Sequence, residues 1–504
     1  MVTLTCASSA NERQHCAANT ASGILLARSV GSGACLLGKT WGYDDSGVWV
    51  QDGCGAEFIV ARSTASSTAL VADSAAESST PVVIVAAGSI PEEAVVTAVA
   101  KEEPEPFNEV YGFLDPGKGF LVGKTDLGEL SISGYALVRY MNQVDSDGVF
   151  TDHLGRERPV DGRKDIYSHR VLVWLDGWLG DPKLRYTIGF WTVNATDQDA
   201  IFGNVGYQFN KKFNLYAGIF GNYGSRTMAG SHPYWLGHDR VMADEFFRPF
   251  FTQGAFANGE IVPGLFYSAG LGNTSSTLGT TAVKLDRKWT YSGSFWWMPT
   301  THEFGPRGGF GDYEFHQELA TRFGMSATYS PEQRYSNADE VAGNTALRLA
   351  DSVNVFETGS LVPGVTVTGI DYSLLATDAG MKYKGFFLQT EFYYRVLDSI
   401  KANGYLPMKE IKDWGFYVQT SFFPIPKKLE IYGAVSQIFG DESLGFSDSS
   451  DWIAGMNYYP FDMRNMRVNF QYNYVDRSPV SSSFGYYVGG LEGSVYSAAA
   501  SVFF

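Results

Sequence analysis

The feature that most constrains this chain is a two-residue alternation of apolar and polar side chains, which is clear at its carboxy-terminal end. Within residues 496–504 every second residue is apolar, and Ser497 and Ser501 lie at positions between them. A period of two is the repeat of an extended strand, so this stretch is predicted to be a β-strand with one apolar face. The pattern fits two architectures: a soluble β-sandwich that ends on a strand, and a closed barrel whose last strand completes the sheet.

The same alternation recurs in residues 386–395, 416–422 and 467–474. In the last of these, apolar residues such as Phe470 alternate with polar residues such as Asn469. A soluble sandwich would bury one face in a core, but the second faces here are too uniformly polar for one sheet to pack on another. Apolar-out, polar-in strands of this length favour a barrel that crosses a membrane.

The connections between these segments predict the topology, because short turns alternate with longer loops, as periplasmic turns and external loops do in such barrels. Sixteen strands are predicted near residues 129–141, 166–179, 184–194, 200–209, 213–221, 249–257, 265–272, 285–298, 319–329, 370–383, 386–397, 414–423, 429–438, 451–460, 467–476 and 494–504. The connection 299–318 is long for a periplasmic turn and is the weakest step in this count. At sixteen strands the wall side chains cannot fill the interior, so a water-filled lumen is expected.

Composition agrees with a barrel. The chain has 504 residues, of which 56 are Gly, 35 Phe, 29 Tyr and 11 Trp, and only 18% are charged. Aromatic residues are what the two interfacial girdles of such a barrel require, and no apolar run is long enough for a transmembrane helix. The formal net charge of −16 argues against nucleic acid as a partner. The first six residues lack the basic start and apolar core of an export signal, so we expect a processed or re-engineered chain.

All four cysteines lie in the first 54 residues: Cys6, Cys16, Cys35 and Cys54. An even number confined to a short segment predicts two disulfides formed in an oxidising compartment. Three pairings are possible, and we favour Cys6 with Cys16 and Cys35 with Cys54. A zinc site is the competing interpretation, but no two of these cysteines are as closely spaced as zinc ligands usually are.

The chain is therefore predicted to have three parts. Residues 1–62 form a small disulfide-bonded module, and its pattern around residues 41–58 resembles a small bacterial envelope domain of uncharacterised function. Residues 63–106 form a flexible linker rich in Ala, Ser, Pro and Glu, a composition that cannot bury a core. Residues 107–504 form the barrel. The predicted fold class is all-β, a 16-stranded antiparallel transmembrane β-barrel with a small disulfide-bonded N-terminal domain.

Residues 107–504 also resemble the phosphate-selective porin (O and P type) family. The resemblance is carried by GFLV at 119–122, LSISGY at 130–135, KGFFLQTE at 384–391, GFYVQ at 415–419 and SAAASVFF at 497–504. It implies a homotrimer in the bacterial outer membrane, with the third external loop folded into the lumen. The predicted disulfides separately indicate that the amino-terminal module lies in the periplasm. It further implies passive diffusion of small hydrophilic solutes or anions, including phosphate-type anions, with outer-membrane lipid around the barrel and no cofactor.

On this count the third external loop is residues 222–248. Folded inward it would narrow the lumen where the electric field is concentrated. The predicted selectivity residues of this loop are Arg226, His232, His238, Asp239, Arg240, Glu245 and Arg248. The set His232, His238 and Asp239 could instead be a metal site, but an ordinary polar loop is favoured and we predict no metal.

Strand parity also predicts which charges of the wall face the lumen. The basic set is Arg139, Arg170, Arg185, Arg322, Lys382, Arg395 and Arg467, and the acidic set is Glu129, Asp176, Asp378, Glu391, Glu430 and Asp451. Seven basic residues against six acidic residues is close to balance. The predicted lumen therefore lacks the dense row of basic residues that would be needed to strip water from phosphate. The sequence therefore predicts a general diffusion pore with at most a mild anion preference.

Three other functions were weighed. An enzyme is not expected, because His169 is the only histidine on a clear strand and no serine partner for it can be identified. A channel for lipids or hydrocarbons is disfavoured by the Gln, Asn and Arg residues of the predicted inner faces. The main alternative is a barrel anchor whose residues 1–62 contact the cell wall or a partner protein.

Overall fold

The computed structural model describes residues 2–10, 12–18, 24–31, 33, 35, 39–44, 46–60, 119–144, 148–193, 198–230, 232–275, 288–337, 347–481 and 486–504. The chain divides into two compact units, residues 1–98 and 99–504. The predicted linker, 63–106, lies outside the described residues, so its boundaries stay predictions.

The described residues of the amino-terminal unit contain six short strands: β1 Val2–Ala7, β2 Arg13–Ala17, β3 Ile24–Ser29, β4 Trp41–Asp44, β5 Gly47–Gln51 and β6 Gly55–Val60. They form two three-stranded sheets, ordered β1-β6-β3 and β2-β5-β4. Trp41 packs on Phe58 with ring centroids 5.0 Å apart, and both side chains are buried. Disulfides join Cys6 to Cys16 and Cys35 to Cys54, so the favoured pairing is confirmed.

The second unit is a closed antiparallel barrel, as predicted. Its sixteen strands are β8 Gly128–Gln143, β11 Lys164–Leu179, β12 Asp181–Val193, β13 Gln198–Asn210, β14 Phe213–Gly221, β15 Phe251–Val262, β16 Leu265–Gly272, β17 Thr290–Trp297, β18 Ala320–Gln333, β19 Val367–Tyr383, β20 Phe386–Ala402, β21 Ile411–Ile425, β22 Leu429–Phe439, β23 Ser449–Tyr458, β24 Met466–Asp476 and β25 Gly493–Phe503. Three further strands were not predicted. These are β7 Phe120–Thr125, which pairs with β8, and the hairpin of β9 Gly148–Thr151 with β10 Glu157–Val160.

The barrel closes where its last strand pairs with its first. The register of β25 against β8 runs from Val495 opposite Gln143 to Phe503 opposite Tyr135. Beyond it, Phe504 and Gly134 exchange two backbone hydrogen bonds of 3.0 Å. A Cβ at Gly134 would lie 2.6 Å from the Phe504 ring, so a larger residue at this position would displace that ring.

Side chains alternate between the two surfaces of the wall, as the sequence predicts. On β24, Phe470 is 49% exposed on the outer surface, whereas its neighbours Asn469 and Gln471 are 1% and 7% exposed. Large apolar side chains on the outside of many strands form a continuous apolar belt. Exposed tryptophans lie near its two edges, for example Trp297 and Trp414.

The two ends of the barrel differ. One end has turns of one to seven residues, such as those at 180, 211–212 and 384–385, together with the carboxy terminus. At 384–385, Gly385 has a φ of 84°, a conformation that favours glycine. The connection 298–319 is the exception at this end. The longer loops, at the opposite end, carry short helices: α1 Arg226–Ala229, α2 Met242–Phe247 and α3 Arg334–Asn337. No helix among the described residues is long and apolar enough to cross a membrane.

Candidate pore constriction

Residues 222–248, which join β14 to β15 and include α1 and α2, fold into the interior of the barrel. We call them the inserted loop. Among its described residues every one is buried except Tyr234, which is partly exposed. A loop with this many polar groups can be buried only if its backbone and side chains find hydrogen-bond partners. The wall supplies those partners.

The carbonyl groups of the inserted loop accept hydrogen bonds from wall side chains on the long inner faces of β19, β23 and β24. The hydroxyl of Tyr372 donates to the Phe247 carbonyl at 2.6 Å, and Nδ2 of Asn457 donates to the Leu236 carbonyl at 2.9 Å. Nη2 of Arg467 donates to the Gly237 carbonyl at 3.0 Å.

The amide groups at the starts of the two loop helices are paired with the wall as well. The Arg226 amide donates to Oε1 of Glu391 at 2.8 Å, and the Ala243 amide donates to Oγ of Ser436 at 3.1 Å. The hydroxyls of Tyr393 and Tyr417 hold the other oxygen of Glu391 at 2.8 and 3.0 Å. These bonds fix the loop at several points along its length.

Most charges of the inserted loop are paired within it. Arg248 forms a two-pronged contact with Glu245, at 2.6 and 2.9 Å. Nε of Arg240 lies 3.3 Å from Asp244, whose carboxylate also accepts hydrogen bonds from Thr227. Because each ion is out of water, this pairing is what makes its burial tolerable.

The predicted wall arginines on β8 and β11 meet the inserted loop. Oδ1 and Oδ2 of Asp239 lie 3.0 Å from Arg170 and 3.5 Å from Arg139 respectively. The guanidinium groups of Arg170 and Arg240 lie over the Trp235 ring, 5.3 and 4.3 Å from its centroid. The structure thus brings four predicted residues, Arg139, Arg170, Asp239 and Arg240, into one cluster with Trp235.

Four further predicted arginines also lie near carboxylates. Arg322 contacts Asp378 at 3.0 Å, Arg395 contacts Asp413 at 2.6 Å, Arg185 contacts Asp176 at 3.3 Å, and Arg226 lies 3.9 Å from Asp378. Among these, only the side chain of Arg185 keeps substantial exposure, at 31%. The local positive charge that would attract an anion is therefore largely compensated.

The histidines do not form the metal site weighed for the inserted loop. His238 bonds Asn469 through Nδ1 at 3.0 Å, and His232 packs edge-on against Tyr135. In the part of the chain that the structure describes, the group with metal-ligand geometry is instead Asp312, Glu314 and His316. The His169 side chain lies outside the described residues.

That second group is already paired. His316 bonds Asp312 through Nδ1 and lies 2.9 Å from Glu303 through Nε2, while Glu314 contacts Arg464. Burial alone would lower the pKa of His316, but the hydrogen bonds to Asp312 and Glu303 outweigh it and raise the pKa to about 9. These ion pairs and hydrogen bonds already engage ligand atoms of all three side chains.

An aromatic region of the inner wall escaped the sequence prediction. Its buried rings are Trp174, Trp191, Phe202, Tyr216, Phe220, Phe256 and Trp296, on β11 to β17, and the partly buried Phe266 packs against them. Tyr216 stacks on Phe256 at 5.0 Å, and the ring of Phe220 lies against Gly270. The signal was present as large apolar residues on both faces of these strands, for example Ile201 and Phe202, next to glycines on neighbouring strands. The inner face is therefore not uniformly polar.

The expectation of an open, water-filled lumen needs correction at this level of the barrel. The wall is as wide as sixteen strands predict, but the inserted loop occupies its interior. One cavity between this loop and the outer loops measures about 40 Å³ and is lined by Arg248, Tyr372 and Arg395, among others. A second, of about 20 Å³, is lined in part by Tyr234 and Arg467. Each has room for about one to three water molecules. The alternation of residues along the strands could not predict that the interior is filled, because it shows which wall side chains point inward and gives no information on the loops.

Comparison with known proteins adds little to this geometry. Residues 3–98 match a family of proteins of unknown function (DUF3011). No curated protein matches the sequence. Among solved structures, the barrel is similar to OmpT of Vibrio cholerae, with 12% identity over 76% of this chain and 99% of that one and a TM-score of 0.45. It is also similar to an anion-selective porin from Comamonas acidovorans, with 10% identity over 75% and 100% and a TM-score of 0.45. At these values neither likeness carries an argument, and the resemblance to the phosphate-selective family is not confirmed.

Proposed function

We propose that this protein is an outer-membrane channel of the porin type, through which small hydrophilic solutes or anions diffuse passively. The observation that carries the proposal is the closed sixteen-stranded wall with an apolar outer belt and many charged side chains on its inner face. An apolar belt suits lipid, and a polar inner face suits hydrated solutes. The chain acts as a passage and not as an enzyme.

The inserted loop restricts this passage. Its arginines are matched by carboxylates, so we propose a low unit conductance with at most a mild anion preference from Arg226, Arg240 and Arg248. Phosphate selectivity is not favoured, because stripping water from phosphate calls for several uncompensated cations. We further propose a homotrimer, with the disulfide-bonded module in the periplasm.

Planar-bilayer recording of the purified protein tests the channel function. We expect small, resolvable current steps in chloride salts, with chloride slightly more permeant than potassium. A clear cation preference would disprove the anion bias. If no steps occur at any voltage from protein that migrates as a folded barrel, the channel function is wrong.

The second candidate function is an anchor, in which the barrel holds residues 1–62 at the membrane and these residues bind the cell wall or a partner protein. The buried, ion-paired inserted loop favours it, because an anchor needs no open lumen. Deleting residues 1–106 separates the two functions. Unchanged conductance with lost cell-wall retention would assign tethering to the module, whereas unchanged retention would reject tethering.

A further inference from the structure

We infer that residues 298–319, which we call the strap, form a second constriction that closes the lumen from the short-turn end and locks onto the inserted loop. The inference rests on the proposed channel function and deepens it, because it places control of passage at two segments instead of one.

The strap crosses the mouth of the barrel. It leaves β17 and returns to β18, yet between them it reaches the far wall. Phe304 packs near Phe387 of β20, and the Tyr313 hydroxyl donates to the Asp462 carbonyl at 2.5 Å, between β23 and β24. The guanidinium of Arg307 lies 5.1 Å from the Phe503 ring on β25. A turn that served only to join two neighbouring strands would need none of these contacts.

The strap is buried at its centre, where residues 307–313 have little exposure. Its carbonyl groups there are paired by cations of the wall. Nζ of Lys382 donates to the carbonyls of Phe304 and Gly309, each at 2.7 Å, and Nη2 of Arg464 donates to the Phe310 carbonyl at 3.0 Å. Lys382 has no measurable exposure, so its ammonium relies on such partners to replace water.

The strap and the inserted loop, which enter from opposite ends, bind each other inside the barrel. Nη2 of Arg226 donates to the Gly308 carbonyl at 2.5 Å, and the Phe310 amide donates to the Tyr234 carbonyl at 2.7 Å. Like the Phe310 amide, Nη1 of Arg307 donates from the strap to the inserted loop, here to the carbonyl of His232 at 3.0 Å. Since each segment donates to the other, neither can leave the lumen without breaking buried hydrogen bonds of its partner.

The consequence concerns permeation. If the two segments act as one closure, loosening the strap widens the passage although the inserted loop itself is unchanged. The proposed solutes would then meet the strap as the constriction at the short-turn end, and the size limit for diffusion would depend on it.

The experiment compares unit conductance in planar bilayers for the whole protein and three variants. Lys382→Met removes both hydrogen bonds to the strap, and a second variant replaces residues 304–313 with a short glycine–serine linker. The matched control is Lys384→Met, the same change two residues along at an exposed position. We expect conductance to rise about twofold or more in both strap variants, with a larger solute size limit, and to be unchanged in the control.

Heat-modifiable migration checks that every variant is a folded barrel. If the wild type conducts and neither strap variant differs from it, the inference is wrong and the channel function stands. If neither the wild type nor any folded variant conducts, the channel function fails and takes the inference with it. A rise in Lys384→Met equal to that in Lys382→Met would also overturn the role of the strap.

Discussion

At the scale of single residues, the interior of this barrel depends on buried ion pairs. Arg395 and Asp413 contact each other at 2.6 Å with side chains that are 1% and 0% exposed. Removing one partner leaves an uncompensated buried charge, which typically costs about 3–5 kcal/mol. We therefore expect Arg395→Met to lower the unfolding temperature of the barrel markedly, as measured by heat-modifiable gel migration.

The control is Lys412→Met, which breaks an exposed pair with Glu410 whose two side chains are 46% and 50% exposed. An exposed pair contributes little to stability, so this variant is expected to unfold at the same temperature as the wild type. If both substitutions lower the unfolding temperature by the same amount, breaking the buried pair of Arg395 and Asp413 destabilises the barrel no more than breaking an exposed pair.

Asp152 predicts a pH dependence for the outer hairpin of β9 and β10. Burial alone would raise the pKa of this carboxyl, but hydrogen bonds from Arg158 and from the backbone and side chain of Arg156 outweigh it and lower the pKa to about 2. A depressed pKa means that the stabilisation is complete above the ordinary value of 3.8 and is lost as the pH falls through about 2. Its size is about 2 kcal/mol.

Hydrogen exchange of residues 148–160, corrected for the intrinsic effect of pH, measures this dependence. Protection is expected to be constant from pH 7 to about 4 and to fall towards pH 2. Asp152→Asn keeps an oxygen for the backbone amides but has no charge to titrate. Its protection should be lower at neutral pH and should not fall further on acidification. Identical profiles for the two proteins would contradict the assignment.

At the scale of elements, the inserted loop is held by the wall and not by its own secondary structure, since its helices have only four and six residues. Arg467 is the clearest wall contact, because it bonds the carbonyls of Trp235, Leu236 and Gly237. Arg467→Met is expected to release the loop, and trypsin should then cut after Arg226 or Arg240 in detergent-solubilised protein.

The matched control is Arg185→Met, since Arg185 also faces the lumen but pairs with Asp176 of the neighbouring strand. We expect no new cleavage in this variant. Cleavage in both variants at the same rate would indicate a general weakening of the barrel and not release of the loop.

The strands could be predicted from sequence, and the resemblance to a porin family implied the inward fold of residues 222–248, whereas the strap and the contacts inside the lumen could not be predicted. All sixteen predicted strands are present. Strands such as β20 and β24 can be recognised from sequence because successive side chains point alternately to the outer surface and to the interior of the barrel, and this produces a local alternation of apolar and polar residues. The strap is different. Residues such as Phe310 and Tyr234 meet only through the closed barrel, and no local pattern signals a contact between segments 76 positions apart. The pairing of Arg139 with Asp239 escaped prediction for the same reason.

At the scale of the whole molecule, the two units are expected to respond independently to loss of a disulfide. The bond between Cys35 and Cys54 closes a segment of the small amino-terminal unit, in which eight of the described residues form a buried core. Loss of a native disulfide from a small domain typically costs about 2–5 kcal/mol. Replacing both cysteines with serine should therefore unfold residues 1–60, detected by proteolysis, while heat-modifiable migration of the barrel stays unchanged. Loss of barrel migration would show that the units depend on each other.

Cysteine scanning of β24 in reconstituted bilayers tests the central claim most directly. Single cysteines would replace Asn469, Phe470, Asn473 and Tyr474, each carrying a fluorophore, with a quencher attached to the lipid acyl chains. The account predicts strong quenching at 470 and 474 and little at 469 and 473, because only the first pair points into lipid. Equal quenching at all four positions, or the reverse order, would contradict a wall with lipid on one side and a polar interior on the other.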